Sequence, residues 1–251
     1  MKIAVIDTET TGLEDSDQVV ELAVVMLNER GDELSQWSSL VRPTVPIRAE
    51  ARATHHIGEE DLDGVLTMNA LQPMIPDLTD VVLVAHYLDF DLRMLAQSGF
   101  PADVLSPARI CTWRCARHLW PNAPRHSNQV LRYWLPVAVP VQLLPPHRAL
   151  PDAVVTAHIL RHMLKTHTIK ELIGLTNTLP ILHKVPMGKH RDQPWSEVPF
   201  DYLEWVISAT NPPFGDEIRH TALHWRRVRQ RRWLKKYTVQ QRGKTNVVKA
   251  G

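Results

Sequence analysis

Five residues in three short stretches carry the side chains that hydrolytic chemistry requires. Asp7 and Glu9 alternate with Thr8 behind the apolar run Ile3-Ala4-Val5-Ile6, so a period-2 strand turns both carboxylates to one side. Adjacent carboxylates repel unless a cation holds them, and Mg²⁺ does so through one or two carboxylates together with substrate phosphates. Asp91 follows a second apolar run, and Asp152 opens a helical stretch shortly after His147. Each of these acids stands where strand or loop meets helix, the usual place of sites on α/β folds. Four such acids could hold two metal ions about 3.5–4 Å apart, clamping the attacking and leaving oxygens of a phosphodiester during in-line displacement. His147 would then take the proton of the attacking water. Taken singly, each group has a plainer reading: Asp7 and Glu9 in a solvated loop, Asp91 and Asp152 as helix N-caps, His147 as a loop histidine.

The elements around these residues follow from hydrophobic patterning. Ile3 to Ile6 reads as a strand running into a polar loop, Asp7 to Gly12. Val19 to Asn28 and Leu34 to Val41, separated by Glu29-Arg30-Gly31-Asp32, add two strands and predict an antiparallel meander. Val81 to Ala85 is a short buried strand, and the spacing of Leu92, Leu95 and Ala96 is helical. Arg109 to Trp120 predicts a strand-to-helix passage, and Ser127 is a candidate N-cap before Val130, Leu131 and Trp134. Pro151 fits the start of a helix carrying Val154, Val155, His158, Ile159 and Met163. Strands first, then alternating strand and helix, predict an α/β layer fold with a mixed sheet. The helical pattern stops near residue 165, and Pro180 and Pro186 bracket a weakly patterned segment. The expected division is a first domain over 1–165, a linker over 166–186, a small module over 187–215 and a basic tail over 216–251.

The 251 residues are 44% apolar and 22% charged, which excludes a collagenous or wholly disordered chain. No stretch approaches the roughly 20 apolar residues needed to span a bilayer, and the start turns acidic before a signal sequence could form. Cys111 and Cys115 read as buried free thiols, so a cytoplasmic protein without a membrane partner is expected. The net charge of +2 conceals a split: residues 1–215 hold 18 basic and 25 acidic side chains, residues 216–251 hold 11 and 2. Between Trp225 and Tyr237, cations and aromatics interleave, which suits a phosphate backbone with stacked bases. The alternatives are a solvated amphipathic helix whose apolar face is Leu223, Val228 and Leu234, or a helix lying on an anionic membrane surface.

Asp7-Thr8-Glu9-Thr10-Thr11-Gly12, Ala85-His86-x-x-x-Phe90-Asp91 and His147-Arg148-Ala149-Leu150-x-Asp152, in this order and spacing, resemble the three exonuclease motifs of the DEDDh (DnaQ-like) superfamily. Leu40-Val41-Arg42-Pro43, His55-x-Ile57, Ile110-Cys111-Thr112 and Arg117-His118-Leu119-Trp120-Pro121 look most like its exodeoxyribonuclease X group. The resemblance implies an RNase H-like fold, a mixed sheet flanked by helices. It also implies metal-dependent 3′ to 5′ hydrolysis of nucleic acid, DNA rather than RNA, with release of nucleoside 5′-monophosphates. The implied cofactor is Mg²⁺, replaceable by Mn²⁺, at two ions per site. Carried over residue by residue, Asp7, Glu9 and Asp152 are ligands of the first ion, and Asp7 bridges to the second. Asp91 is a mostly water-mediated support, and His147 is the general base. Asp89 competes with Asp91, but Phe90-Asp91 preserves the motif's ending. Thr10, Gly12 and Leu13 fall where the family's loop reaches the terminal nucleotide. Tyr87 stands where the family usually has an asparagine near the substrate strand, which makes it a further substrate contact. His55 and His56 are expected to build a turn, and His118, His158 and His162 to be structural. Glu21 is a candidate support for the acids that no spacing argument decides.

Beyond residue 186, Met187-Gly188-Lys189-His190-Arg191, Trp195, Val198-Pro199 and Asp201-Tyr202-Leu203-Glu204-Trp205 resemble a short module that follows the catalytic domain in exodeoxyribonuclease X-like proteins. Lys189, His190 and Arg191 could touch phosphates or form a surface turn. Trp195 and Trp205 are expected in the module's core, with base-stacking platforms as the alternative. Two alternatives remain beside a DNA exonuclease: an exoribonuclease trimming RNA 3′ ends, and a catalytically silent nucleic-acid-binding adaptor relying on the tail. Retention of all four acids and His147 speaks against the silent adaptor.

Overall fold

The computed structural model describes residues 1–101, 108–139, 146–210 and 214–247, with side chains through Arg232 in the last of these. It divides into two compact units, Met1–Thr178 and Leu179–Gly251.

The first unit is built on a five-stranded sheet. Its strands are β1 (Lys2–Thr10), β2 (Val19–Leu27), β3 (Glu33–Leu40), β4 (Val81–Ala85) and β5 (Arg109–Cys111), in the order β3-β2-β1-β4-β5. β1 runs antiparallel to β2, and β2 to β3, whereas β1–β4 and β4–β5 are parallel, so the expected mixed sheet is present. Helices flank it: α1 (Ala49–His55), α2 (Met68–Leu71), α3 (Leu88–Gln97), α4 (Thr112–Leu119), α5 (Asn128–Trp134), α6 (Ala149–Leu164) and α7 (Ile169–Thr176). Along β1, side chains alternate between two cores. Ile3 and Val5 pack with Val155, Ile159 and Met163 of α6, while Ala4 and Ile6 pack with Leu88, Met94 and Leu95 of α3. A strand covered on both faces must be apolar at every position, and β2 is so at all but Glu21.

Two boundaries differ from the sequence reading. β1 does not stop at Ile6: Asp7, Thr8 and Glu9 continue the ladder opposite Ala23, Leu22 and Glu21, because β2 offers an unbroken partner. Residues 166–186, expected as a linker, include α7, whose Leu172 is buried in the α6 core. Thr176 of α7 donates its hydroxyl to Leu172 and accepts the Cys111 amide at 2.9 Å. Cys111 and Cys115 are buried free thiols, and burial pushes Cys115 up to about 11.

The second unit has a small core of Val185, Trp195, Val198, Leu203, Val206 and Ala222. Its helices include α8 (Phe200–Ser208) and α9 (Asp216–Val247), so the described part of the basic tail is helical. The expected apolar face of α9 is corrected. Ala222 lies in the core with the partly buried Ile218 and Trp225 packed against it, the i, i+4, i+7 stripe of a helix, and it is this stripe, not Leu223 and Val228, that meets the core. The side chains of Trp233, Leu234, Lys235, Lys236 and Tyr237 fall outside the described residues. Among the described residues, no helix is long and apolar enough to cross a membrane.

Candidate active site

Strand parity aims the acids. Asp7 and Glu9 share the phase of Ile3 and Val5, which places them on the α6 side of the sheet, while Thr8 faces the α3 side. Asp152 comes from the first turn of α6, and one carboxylate oxygen from each of Asp7, Glu9 and Asp152 lies within 4.8 Å of the others. Asp91 belongs to the first turn of α3 and accepts the Thr8 hydroxyl at 2.8 Å. The N-cap reading fails for both helix acids: the N-cap positions are Tyr87 and Arg148, and Asp91 and Asp152 each follow four residues later. Both are buried, at 3% and 8% exposure. Asp89, by contrast, is exposed and ion-paired with Arg114.

The carboxyl cluster holds its protons tightly. Burial, followed by the charges of Asp91, Asp152, Glu9 and Glu21, lifts Asp7 well above the usual carboxylate range. Burial and then Asp152, Glu21 and Asp91 lift Glu9 to about 8, with Arg148 pulling the other way. Burial raises Asp91 to about 7, and it raises Asp152 against the opposing pull of its hydrogen bonds. A hard divalent cation offsets this repulsion, and an all-oxygen donor set of three close carboxylates fits one.

His147 is exposed and adopts a left-handed backbone, φ 62°. Its amide donates to Asp152 Oδ2 at 2.8 Å, while Gln129 Nε2 donates to Oδ1, so the Asp152 carboxylate is held from both sides. The next residue, Arg148, grips Glu21 with Nε and a terminal nitrogen at 2.9 and 2.7 Å, and the Ala149 amide bonds the same carboxylate. Glu21 is therefore the anchor of the α6 start. Its signal in the sequence was a lone charge within an otherwise apolar strand.

A cleft of about 460 Å³ adjoins the cluster, lined by Glu9, Leu13, Arg48, His55 and Phe90 among others. Leu13 projects into solvent at 72% exposure. Thr10 is buried, and its hydroxyl donates to the Gly12 carbonyl at 2.7 Å. Gly12 is crowded by Asp17 and Arg48, which form an ion pair, so a Cβ would displace that pair. His55 fixes the loop from below: Nε2 donates to the Thr10 carbonyl at 3.1 Å while Nδ1 accepts the Ile57 amide. This is the structural turn expected of His55 and His56. Tyr87 is half exposed with φ 75° and sets its ring edge-on to Trp113 at 5.0 Å. His86 beside it is half-buried, held between the Thr112 hydroxyl and the His126 carbonyl, and loss of solvation drives it down to about 4. His118 bonds the Thr178 carbonyl, and His162 packs on Trp120.

A family model described as Exonuclease matches residues 4–160. Exodeoxyribonuclease 10 of Escherichia coli strain K12 is 31% identical over 237 residues, covering 89% of this chain and 98% of that protein. DNA polymerase III subunit epsilon of Treponema pallidum is 27% identical over 168 residues, covering 64% of this chain and 75% of the relative. Among solved structures, exonuclease X in complex with 5′-overhanging duplex DNA superposes with a TM-score of 0.59 at 32% identity, over 70% of this chain and 99% of that one.

Proposed function

The chain belongs to the exonuclease family that its residues 4–160 match, and on that premise we propose that it is a 3′ to 5′ exodeoxyribonuclease releasing nucleoside 5′-monophosphates from DNA ends. The observation that carries this reading is the convergence of Asp7, Glu9 and Asp152 beside an open cleft. DNA is favoured over RNA by the exodeoxyribonuclease that aligns along most of both chains.

Asp7, Glu9 and Asp152 would hold one Mg²⁺ ion, replaceable by Mn²⁺. Asp7 would also reach a second ion, and Asp91 would support it through water. When bound, the ions supply positive charge to the attacking and leaving oxygens of the phosphodiester.

The protein's own groups position and move the proton. His147 takes the proton of the attacking water as the new P–O bond forms and the P–O3′ bond breaks. It is free to do so because its ring stands in solvent, while its backbone is tied to Asp152. The terminal nucleotide occupies the cleft, where Thr10 and Gly12 shape the floor and Leu13 wedges against the last base. Tyr87, in place of the family's asparagine, offers a ring rather than an amide to the strand, a contact that tolerates any base.

Digestion of end-labelled single-stranded DNA, duplex DNA and RNA in parallel, with Mg²⁺ or EDTA, tests the proposal. Mononucleotides released stepwise from DNA 3′ ends, only with metal, are expected. Preferential digestion of RNA, or release from 5′ ends, would overturn it.

A further inference from the structure

The Leu179–Gly251 unit departs from economical packing at one place. Trp195 is fully buried and donates its indole N–H to the Lys184 carbonyl at 3.1 Å, as a core tryptophan should. Trp205, expected in the same core, is 51% exposed, because α8 spends its buried positions on Leu203 and Val206. Nor is its ring loose. Tyr202 lies against it at 5.3 Å between centroids and Phe214 at 6.0 Å, so neighbouring rings hold a large π surface open to solvent.

The same row of rings leads to cations. Tyr202 meets the His190 ring at 4.5 Å, and His190 sits between Lys189 and Arg191, both exposed. Gln193 fixes the His190 ring through a 2.8 Å hydrogen bond within the turn, and that ring makes the turn's contact with Tyr202 of α8. Asp201 is exposed on α8, but Glu204, the residue before Trp205, pairs with Arg226. The unit as a whole carries 14 Lys and Arg against 6 Asp and Glu.

We propose that this face is a binding site for single-stranded nucleic acid, with Trp205 stacking on a base and Lys189 and Arg191 contacting the flanking phosphates. Charge complementarity selects the occupant: a cationic unit presenting a fixed aromatic beside a basic turn matches unpaired bases on a polyanionic backbone. An apolar protein segment would use the ring but leave the cations without a partner. The site lies outside the residues of the metal cluster, so it can be tested without hydrolysis, and its failure would leave the exonuclease reading standing.

The test is fluorescence anisotropy of the full chain with a labelled oligothymidylate in EDTA, across a salt series. Trp205→Ala is expected to weaken binding roughly 5- to 150-fold, the cost of one lost base stack, and Trp205→Phe to retain most of the affinity. Lys189→Ala with Arg191→Ala should flatten the log–log salt dependence by about 1.4 for two lost phosphate contacts. Trp205→Leu provides the decisive comparison if Trp205→Ala disturbs folding. Tight binding by the leucine variant would show an apolar patch without stacking and overturn the proposal. So would unchanged affinity of a folded Trp205→Ala chain.

Discussion

Glu9 and Glu21 stand directly opposite one another across the β1–β2 pair, on the sheet face that carries α6. Like charges in that relation destabilise a sheet. Arg148 resolves the conflict by gripping Glu21 with two nitrogens while its charge also acts on Glu9. The cation arrives on the residue that follows His147, so the device that balances the acids also anchors the proposed base. Arg148→Ala should cost about 1–3 kcal/mol of stability in urea unfolding, the range for leaving a buried polar group unsatisfied. Arg148→Lys should recover part of it, because an ammonium cannot reproduce the bidentate fork. Turnover should fall in the same order. Parent-like stability and turnover in Arg148→Ala would remove Arg148 from this role.

The raised carboxyls set a pH dependence that the metal should reverse. Folding favours the protonated form of each acid, so their contribution to stability is complete below the unfolded carboxylate value of about 4. It is lost as pH rises through the folded values, about 7 for Asp91 and about 8 for Glu9. In EDTA the thermal midpoint should therefore fall as pH rises through this window. Saturating Mg²⁺ binds the deprotonated folded cluster, so it should raise the midpoint most at the alkaline end. Asp7→Asn removes one charge and should flatten the EDTA profile. Thermal melts across pH, with and without metal, decide the matter, and a flat profile for the parent chain in EDTA would contradict the cluster's electrostatics.

Substitution at the acids and at His147 should separate two kinds of loss. Asp7→Asn and Asp152→Asn are expected to abolish hydrolysis together with tight Mn²⁺ binding, measured by calorimetry. His147→Ala should lower turnover on the order of 10²- to 10⁴-fold while metal binding stays close to the parent's, as the loss of a general base predicts. Collapse of metal affinity in His147→Ala would reassign the residue to the ligand set.

Much of the first unit was legible because its signals are local. Apolar runs mark β2 and β4, and the parity of Asp7 and Glu9 places both on one face before any tertiary contact is known. What the sequence could not supply were partners set by register and packing. Glu21 acquires meaning only when β2 lines up with β1 so that it meets Glu9, and only when α6 brings Arg148 to it. Thr8 reads as a spacer until α3 packs on the opposite face and Asp91 accepts its hydroxyl. The end of β1 was missed because polar residues resemble a loop, although an unbroken neighbouring strand can carry them into the ladder. In the second unit, two tryptophans of similar context part ways. Trp195 is enclosed by Val185 and Val198, and Trp205 faces outward on α8, a distinction set by helix phase.

The sequence reading divided the basic tail from the module before it, and the packing of α9 joins the two. Ala222 is fully buried in the second core, Thr221 Oγ1 accepts the Leu182 amide at 3.0 Å, and Arg219 donates to the Ala209 carbonyl. Arg229 likewise reaches the Ser196 carbonyl at 2.9 Å, so several cations of the helix serve the fold, while Arg227, Arg231 and Arg232 remain exposed. Ending the chain after Gly215 should therefore unfold the second unit and spare the first. Hydrogen exchange reports on both at once. The amides of Val185 and Trp195, bonded to the Gln193 and His183 carbonyls, should lose protection, whereas those of Val5 and Val24 in the central sheet should keep it. Loss of binding to long strands in this truncation would then reflect a missing fold rather than missing phosphate contacts. Charge-neutral replacements of Arg227, Arg231 and Arg232 in the full chain are the proper probe of the tail. If the truncated chain instead keeps protection at Val185 and Trp195, α9 is an appendage and its cations can be assigned by truncation after all.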